Sequence, residues 1–158
     1  MSADKTKRLE ERVQDLEAEC EIRNLMATYL LKVDANDPKG VGEIFAKDGV
    51  MDFGGLIGLG AYKGREAIAK VFGDIGAMEM GGFSWHLAHT PCIEVHGNKA
   101  IGHWGWTVLG GGLETGGVYN DEYVKTDEGW KVKKRVATPY YMMEFGKWDN
   151  ERFQGPTL

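Results

Sequence analysis

The sequence predicts an α+β fold: a cone-shaped, curved antiparallel sheet (an α+β barrel) closed by N-terminal helices. Helical periodicity dominates the first half of the chain, whereas from His86 onward long strand-like runs follow one another with short turns between them. Helices segregated to one side of an antiparallel sheet define the α+β class. Glycines inside the later strands, at Gly102, Gly105 and Gly117, suit the strong bends that a cone requires.

The composition is that of a soluble globular protein. The 158 residues are 42% hydrophobic and 27% charged, and nothing along the chain marks a domain boundary, so residues 1–158 are expected to form a single domain. The net charge of −5 disfavours a nucleic-acid partner, and the apolar runs are too short for a membrane span. Two cysteines without C-x-x-C spacing, and a charged start unlike a signal peptide, indicate a reducing, cytoplasmic location.

Periodicity and turn residues divide the first half of the chain. Apolar residues at helical spacing run through a first helix, whose charged beginning either projects from the domain or packs on a neighbouring subunit. Asn, Asp and Pro together then mark a turn at Asp34–Pro38. The predicted elements are, in order, a helix over Thr6–Val33, a helix over Lys39–Ala46, a strand over Val50–Phe53, a glycine-rich loop over Gly54–Gly60 and a helix over Gly64–Ile75.

Four long strands with tight connections are predicted for the second half. Short turns between long strands indicate antiparallel hairpins. In the last strand, apolar side chains alternate with Lys131, Lys133 and Arg135, which predicts one apolar face and one solvated face. The predicted strands are His86–His96, Lys99–Leu109, Thr115–Thr126 and Trp130–Phe145.

Aromatic side chains are expected inside the cone. Trp104, Trp106, Tyr119 and Tyr123 combine large apolar faces with polar tips, as the lining of a cavity for a flat, bulky, mostly apolar ligand would. Each one alone is more typical of a packed core, but the set favours a cavity.

Acid–base residues occur in two places. Three of the four histidines lie between Phe83 and His96, and histidine titrates closest to neutral pH, so it is the natural candidate for proton transfer. Tyr29 and Asp34 stand at the end of the long helix, where both could reach a cavity mouth. A carboxylate is electrostatically unfavourable there. Asp34 therefore either forms the turn or has another role, and Asp37 is the better turn residue. No second metal-type cluster accompanies the histidines, so no metal site is predicted.

Several short motifs carry a resemblance over most of the chain, from about Leu9 to Phe145. In chain order they are Tyr29-x-x-x-x-Asp34, Trp85-His86-x-x-His89-Thr90-Pro91, Gly102-His103-Trp104, and Tyr119-x-Asp121-x-Tyr123 ahead of Gly129-Trp130. This order resembles the SnoaL-like group of the nuclear-transport-factor-2-like superfamily, and within it the bacterial bile-acid 7α-dehydratases. The single motifs are short, but their order and spacing are fairly specific for the superfamily.

The resemblance implies a cofactor-independent enzyme with a steroid-like substrate, assembled as a homo-oligomer, with a trimer favoured over a dimer. It implies catalytic roles for Tyr29, Asp34 and His86. Phe53 replaces a tyrosine of the dehydratases, and an arginine of theirs lies near Tyr140, departures that bear on how a substrate's acidic tail is held. With the aromatic interior, the expected substrate-binding residues are Phe53, His89, Trp104, Trp106, Tyr119 and Tyr140.

The reaction that the resemblance implies is loss of the 7α-hydroxyl from a 3-keto-4-ene bile-acid-type steroid. In this hypothesis neutral His86 takes or shuttles the proton, Asp34 fixes the tautomer of the imidazole, and Tyr29 donates a hydrogen bond to an oxygen. The alternatives are a ketosteroid-isomerase-like or polyketide-cyclase-like enzyme, or a non-catalytic small-molecule-binding protein of the same fold.

The direction of His86 depends on a break in its strand. Strict alternation puts His86 on the face opposite to Ile93 and Val95, and so away from an apolar interior. We therefore predict a bulge near Thr90–Pro91 that shifts the alternation and turns His86 inward. Without it, His89 is the better candidate.

Overall fold

Three helices occupy the first half of the chain in this computed structural model, which describes residues 3–77, 84–110 and 112–144. They are α1 (Ala3–Asp34), α2 (Pro38–Ile44) and α3 (Arg65–Ala77). The turn between α1 and α2 forms where it was predicted. Asp37 caps α2 by accepting a hydrogen bond from the Gly40 backbone at 2.8 Å, and Pro38 occupies its first turn.

Seven strands of the described part of the chain form one curved sheet. They are β1 (Phe45–Asp52), β2 (Ala61–Lys63), β3 (Ser84–Ala88), β4 (Cys92–His96), β5 (Lys99–Gly110), β6 (Leu113–Thr126) and β7 (Gly129–Glu144). Their order is β2-β1-β7-β6-β5-β3, and β4 also pairs with β5. The two ends of this order are not paired with each other in the described residues, so the α+β cone is confirmed as a curved but unclosed sheet.

The sheet is mixed, which corrects the expectation of a wholly antiparallel one. β1 pairs with β7 in parallel, with Met51 facing Arg135. The reason is connectivity: β1 enters the sheet directly from α2 rather than from a hairpin, so nothing requires it to run antiparallel to its neighbour. It also begins at Phe45, earlier than predicted, and β2 was missed because it is only three residues long.

The helices cover the inner face of the sheet. α1 packs on β3, β4 and β7, and α3 packs on β1 and β2. The apolar side chains of the first part of α1 remain exposed, with Leu16 at 63% of its maximal area, so its packing on a neighbouring subunit remains a prediction. Buried core residues of the helices are Ala18, Ile22, Met26, Tyr29, Val41, Ile44, Ile68, Val71 and Phe72.

Candidate active site

A carboxylate and an imidazole meet where α1 packs on β3. Asp34 is the last residue of α1, and one of its oxygens, Oδ1, lies 2.7 Å from Nδ1 of His86 and accepts the His86 backbone N–H at 3.0 Å. Both side chains are largely shielded from solvent, with 25% of Asp34 and 16% of His86 exposed. These two hydrogen bonds explain why a carboxylate is tolerated at the end of a helix, where the macrodipole disfavours it.

The predicted bulge turns His86 towards α1. In the pairing with β5, Ala88 faces Trp106, while Cys92 faces His103, so four steps along β3–β4 match only three along β5. One extra residue is therefore inserted between β3 and β4, and it reverses the alternation. The single strand predicted over His86–His96 is in fact two strands, and the break at Thr90–Pro91 is confirmed.

The geometry selects one tautomer of His86. A carboxylate can only accept hydrogen bonds, so Nδ1 carries the proton and Nε2 is the basic nitrogen of the neutral ring. No described residue hydrogen-bonds Nε2. Burial lowers the pKa of His86 below its ordinary value, and the hydrogen bond and charge of Asp34 oppose this only in part. His86 is therefore neutral near pH 7 and suited to accept a proton.

Tyr29 lies in a different cluster. Its ring packs edge-on against Phe72 and Tyr119, and the guanidinium carbon of Arg135 lies 4.3 Å from its ring centre. Burial raises its pKa, so the hydroxyl stays protonated at neutral pH. Among the described residues no hydrogen bond joins Tyr29 to Asp34 or His86. The hydrogen-bonded pair of Asp34 and His86, called the dyad below, forms as predicted. The catalytic role of Tyr29 remains a prediction.

Arg135, the charged residue of that cluster, corrects the prediction for the last strand. Arg135 was assigned to the solvated face, but it is fully buried and forms two hydrogen bonds to Asp121, at 2.9 and 2.7 Å. Val132 faces Tyr123 and Arg135 faces Asp121, so three steps along β7 match two along β6. The extra residue turns Arg135 inward.

Three aromatic rings surround the guanidinium. Its carbon lies 4.3 Å from the ring centre of Tyr29, 4.8 Å from Trp104 and 4.5 Å from Tyr119. Burial alone would lower the pKa of Arg135, but the charge and hydrogen bonds of Asp121 outweigh it and raise the pKa. One sequence signal could have revealed the pair, because Asp121 alternates with two inward-facing tyrosines and needs a buried counter-charge.

The aromatic substrate-binding candidates line the inner face of the sheet. Trp104, Trp106 and Tyr119 are buried there, and Trp104 donates its indole N–H to Asp121 at 2.8 Å. Phe53 is buried at the end of β1, against Tyr62 and Phe72. Their contact with a ligand remains a prediction.

The model of the SnoaL-like domain matches residues 14–136. The chain belongs to this family. Among curated proteins, none matches the chain.

Solved structures share the fold of this SnoaL-like chain. A hexachlorocyclohexane dehydrochlorinase (LinA) of type 2 is 23% identical with a TM-score of 0.75, covering 90% of this chain and 97% of that one. LinA itself is 25% identical with a TM-score of 0.72, covering 82% and 90%. A provisionally named scytalone dehydratase from Novosphingobium aromaticivorans is 21% identical with a TM-score of 0.71, covering 84% and 91%. None of these three is named as a bile-acid dehydratase.

Two predicted substrate contacts of the SnoaL-like chain lie away from the dyad. His89 follows Ala88 and therefore points to the opposite, outer face, where it packs over Gly105 and hydrogen-bonds Thr107 at 2.9 Å. Tyr140 is 69% exposed and sits at a second bulge of β7. The structure does not bring either side chain together with His86.

Two clefts are present elsewhere on the SnoaL-like domain. One of about 640 Å³ lies between the start of β1 and the β4–β5 and β6–β7 turns, and one of about 310 Å³ lies on the outer face beside Cys92 and His103. Neither is lined by Asp34 or His86. Within the described residues, no cluster of metal-ligating side chains is found. In the same part of the chain, no helix has the length and hydropathy needed to cross a bilayer.

Proposed function

We propose that this protein is a cofactor-independent lyase that eliminates water from a hydroxysteroid, with the 7α-hydroxyl of a 3-keto-4-ene bile-acid-type steroid as the leaving group. The observation that carries the proposal is the 2.7 Å contact between Asp34 and Nδ1 of His86, which leaves Nε2 as the basic nitrogen of the ring. Family membership and solved structures named as a dehydratase and dehydrochlorinases support elimination as the reaction type.

The chemistry needs one proton acceptor that later becomes a donor. The ketone acidifies carbon 6 through the conjugated double bond, and Nε2 of His86 takes the proton to give a dienolate and an imidazolium. The bond from carbon 7 to oxygen then breaks, and the imidazolium returns the proton to the departing hydroxide, which leaves as water. The products are a 3-keto-4,6-diene, one water molecule and the enzyme in its starting state.

Asp34 contributes by holding and stabilising His86. It keeps the proton on Nδ1, so Nε2 faces the substrate as a base, and its charge stabilises the imidazolium that forms. Tyr29, protonated because burial raises its pKa, is the proposed donor to an oxygen that gains charge.

The test is an assay with two steroids that differ only at carbon 7. A 7α-hydroxy-3-keto-4-ene steroid should give the longer-wavelength absorbance of the conjugated dienone, and its 7-deoxy analogue should not. His86→Ala should abolish this signal. His96→Ala is the matched control, because His96 is exposed in the β4–β5 turn region, where its Nε2 lies 3.9 Å from a Glu94 oxygen and away from the dyad.

Three outcomes would contradict the proposal. Movement of double bonds without loss of water would identify an isomerase. Near wild-type turnover by a folded His86→Ala variant would show that the dyad is not the catalyst. Absence of both turnover and binding with either steroid would exclude a steroid substrate.

A further inference from the structure

Trp106 carries a buried polar group without a partner. Its side chain is 3% exposed, and its indole N–H has no hydrogen-bond partner in the described structure. Buried N–H groups are nearly always paired, because losing water without gaining an acceptor is unfavourable. An unpaired donor on the inner face of the sheet therefore calls for an acceptor that the protein itself does not supply.

Two other buried donors of the described residues are unpaired, but their positions explain them differently. Nη1 of Arg135 is enclosed by three aromatic rings, which interact with the cation. The indole N–H of Trp130 lies beside the β6–β7 turn, where Trp130 faces Lys125. Neither residue is adjacent to the dyad in the sheet.

Trp106 is adjacent to the dyad. His86 on β3 faces Val108 on β5, and Trp106 is two residues along β5 on the same face. Such diagonal neighbours lie about 7–8 Å apart, with their Cβ atoms somewhat closer, which is within the reach of an aromatic side chain. A ligand group that contacts Nε2 of His86 can therefore also contact the Trp106 ring.

The open side of Trp106 is at Ala88, which is exposed, whereas the backbone of β7 fills the space beside Gly117, where a Cβ would lie 2.1 Å from the Thr138 carbonyl oxygen. Ala88 and Gly117 are the cross-strand partners of Trp106, whose ring packs on that of Tyr119 with centres 5.4 Å apart. The aromatic cluster thus supports the indole from one side, while the small side chain of Ala88 flanks it along the sheet.

We propose that the indole N–H of Trp106 donates a hydrogen bond to the oxygen that leaves the substrate beside His86. This inference rests on the proposed elimination and adds a catalytic residue to it. An indole N–H is only a donor and stays protonated, so it can stabilise a departing hydroxide without exchanging protons with His86. As the carbon–oxygen bond breaks, negative charge gathers on the oxygen and the hydrogen bond strengthens.

Replacement of Trp106 by Phe tests the hydrogen bond, because Phe retains an aromatic ring but has no N–H. With the 7α-hydroxysteroid we expect kcat to fall about 100-fold, the lower end of the effect of removing one such donor, with KM little changed. With a 7α-chloro analogue the loss should be far smaller, because chloride leaves without a proton and accepts hydrogen bonds weakly. Trp130→Phe is the matched control: it loses an equally buried, unpaired N–H at 4% exposure but should leave both rates unchanged.

A binding measurement separates this proposal from the proposed function. In a ¹⁵N–¹H spectrum the Trp106 indole signal is identified as the one missing from Trp106→Phe, and it should move downfield with the 7α-hydroxysteroid but not with the 7-deoxysteroid. Equal loss on the hydroxy and chloro substrates, or an unmoved signal with bound hydroxysteroid, would overturn the role of Trp106 while leaving the dehydratase intact. If no steroid binds, the proposed function fails. The same spectra are then recorded with 1-tetralol and with tetralin in place of the two steroids. An indole signal that moves with neither compound would overturn the role of Trp106 as well.

Discussion

Replacement of Asp34 by Asn removes the charge of the dyad while retaining the size of the side chain. In the structure one oxygen of Asp34 accepts both Nδ1–H and backbone N–H of His86. An Asn oxygen can keep the backbone hydrogen bond, so the fold should survive. The amide can instead present its NH₂ to Nδ1, which moves the ring proton to Nε2 and leaves no base facing the substrate.

The expected loss of kcat in Asp34→Asn follows from the geometry of the dyad. Two unit charges about 4 Å apart interact by roughly 4 kcal/mol at an effective dielectric constant of 20. Because 25% of Asp34 and 16% of His86 is exposed, solvent screening reduces this to about 3 kcal/mol, which is roughly 100-fold in rate. Loss of the correct tautomer adds to this, so we expect kcat to fall by about 10²- to 10⁴-fold.

The pH dependence gives a second readout. In the proposed mechanism neutral His86 is the active form, so the wild-type rate should fall as pH drops through the His86 pKa, which burial places below the ordinary value of about 6.5. Asp34 raises that pKa, since its charge and hydrogen bond favour the imidazolium. Without the charge, protonation needs a lower pH, and the acid limb of the Asp34→Asn profile should move further to acid.

The assay is steady-state dehydration of the 7α-hydroxysteroid from pH 4 to 9, with circular dichroism to establish folding. Asp37→Asn is the control, since Asp37 lies three residues further on and caps α2 while contacting Lys32. It should lower stability and leave kcat and the acid limb unchanged. A folded Asp34→Asn enzyme with wild-type kcat and an unshifted acid limb would refute the dyad.

Two further predictions concern the Arg135 cluster. Tyr29→Phe should lower kcat by no more than about tenfold, which corresponds to the contribution of one hydrogen bond. A loss as large as that of Asp34→Asn would instead mean that Tyr29 is the acid that protonates the leaving group. Arg135→Met should lower the free energy of unfolding in urea by about 3–5 kcal/mol, because it leaves the buried Asp121 carboxylate unpaired. Arg135→Met combined with Asp121→Leu should recover most of this loss, and an equally unstable double variant would show that the pair is not the cause.

The helices, the turn at Pro38 and the long strands could be predicted because each depends on local sequence. Apolar spacing marks a helix, and a residue such as Asp37 beside proline marks its start, whatever the rest of the chain does. The parallel pairing of β1 with β7 could not be predicted in this way. The pairing depends on where α2 ends relative to the sheet and β1 begins. That position is a property of tertiary packing rather than of Phe45 and its sequence neighbours.

The dyad and the Arg135 cluster show where the limit lies. Both depend on a single extra residue that reverses strand alternation, one at Thr90–Pro91 and one before Arg135. The first could be predicted because Pro91 cannot donate to a ladder and because His86 would otherwise point away from the apolar side. The second bulge has no proline or glycine to mark it. Lys133 and Arg135 look alike in a strand whose side chains alternate between apolar and solvent-exposed positions. What distinguishes Arg135 is the inward-facing carboxylate of Asp121 on the next strand, since a buried charge selects its partner across strands rather than along the sequence.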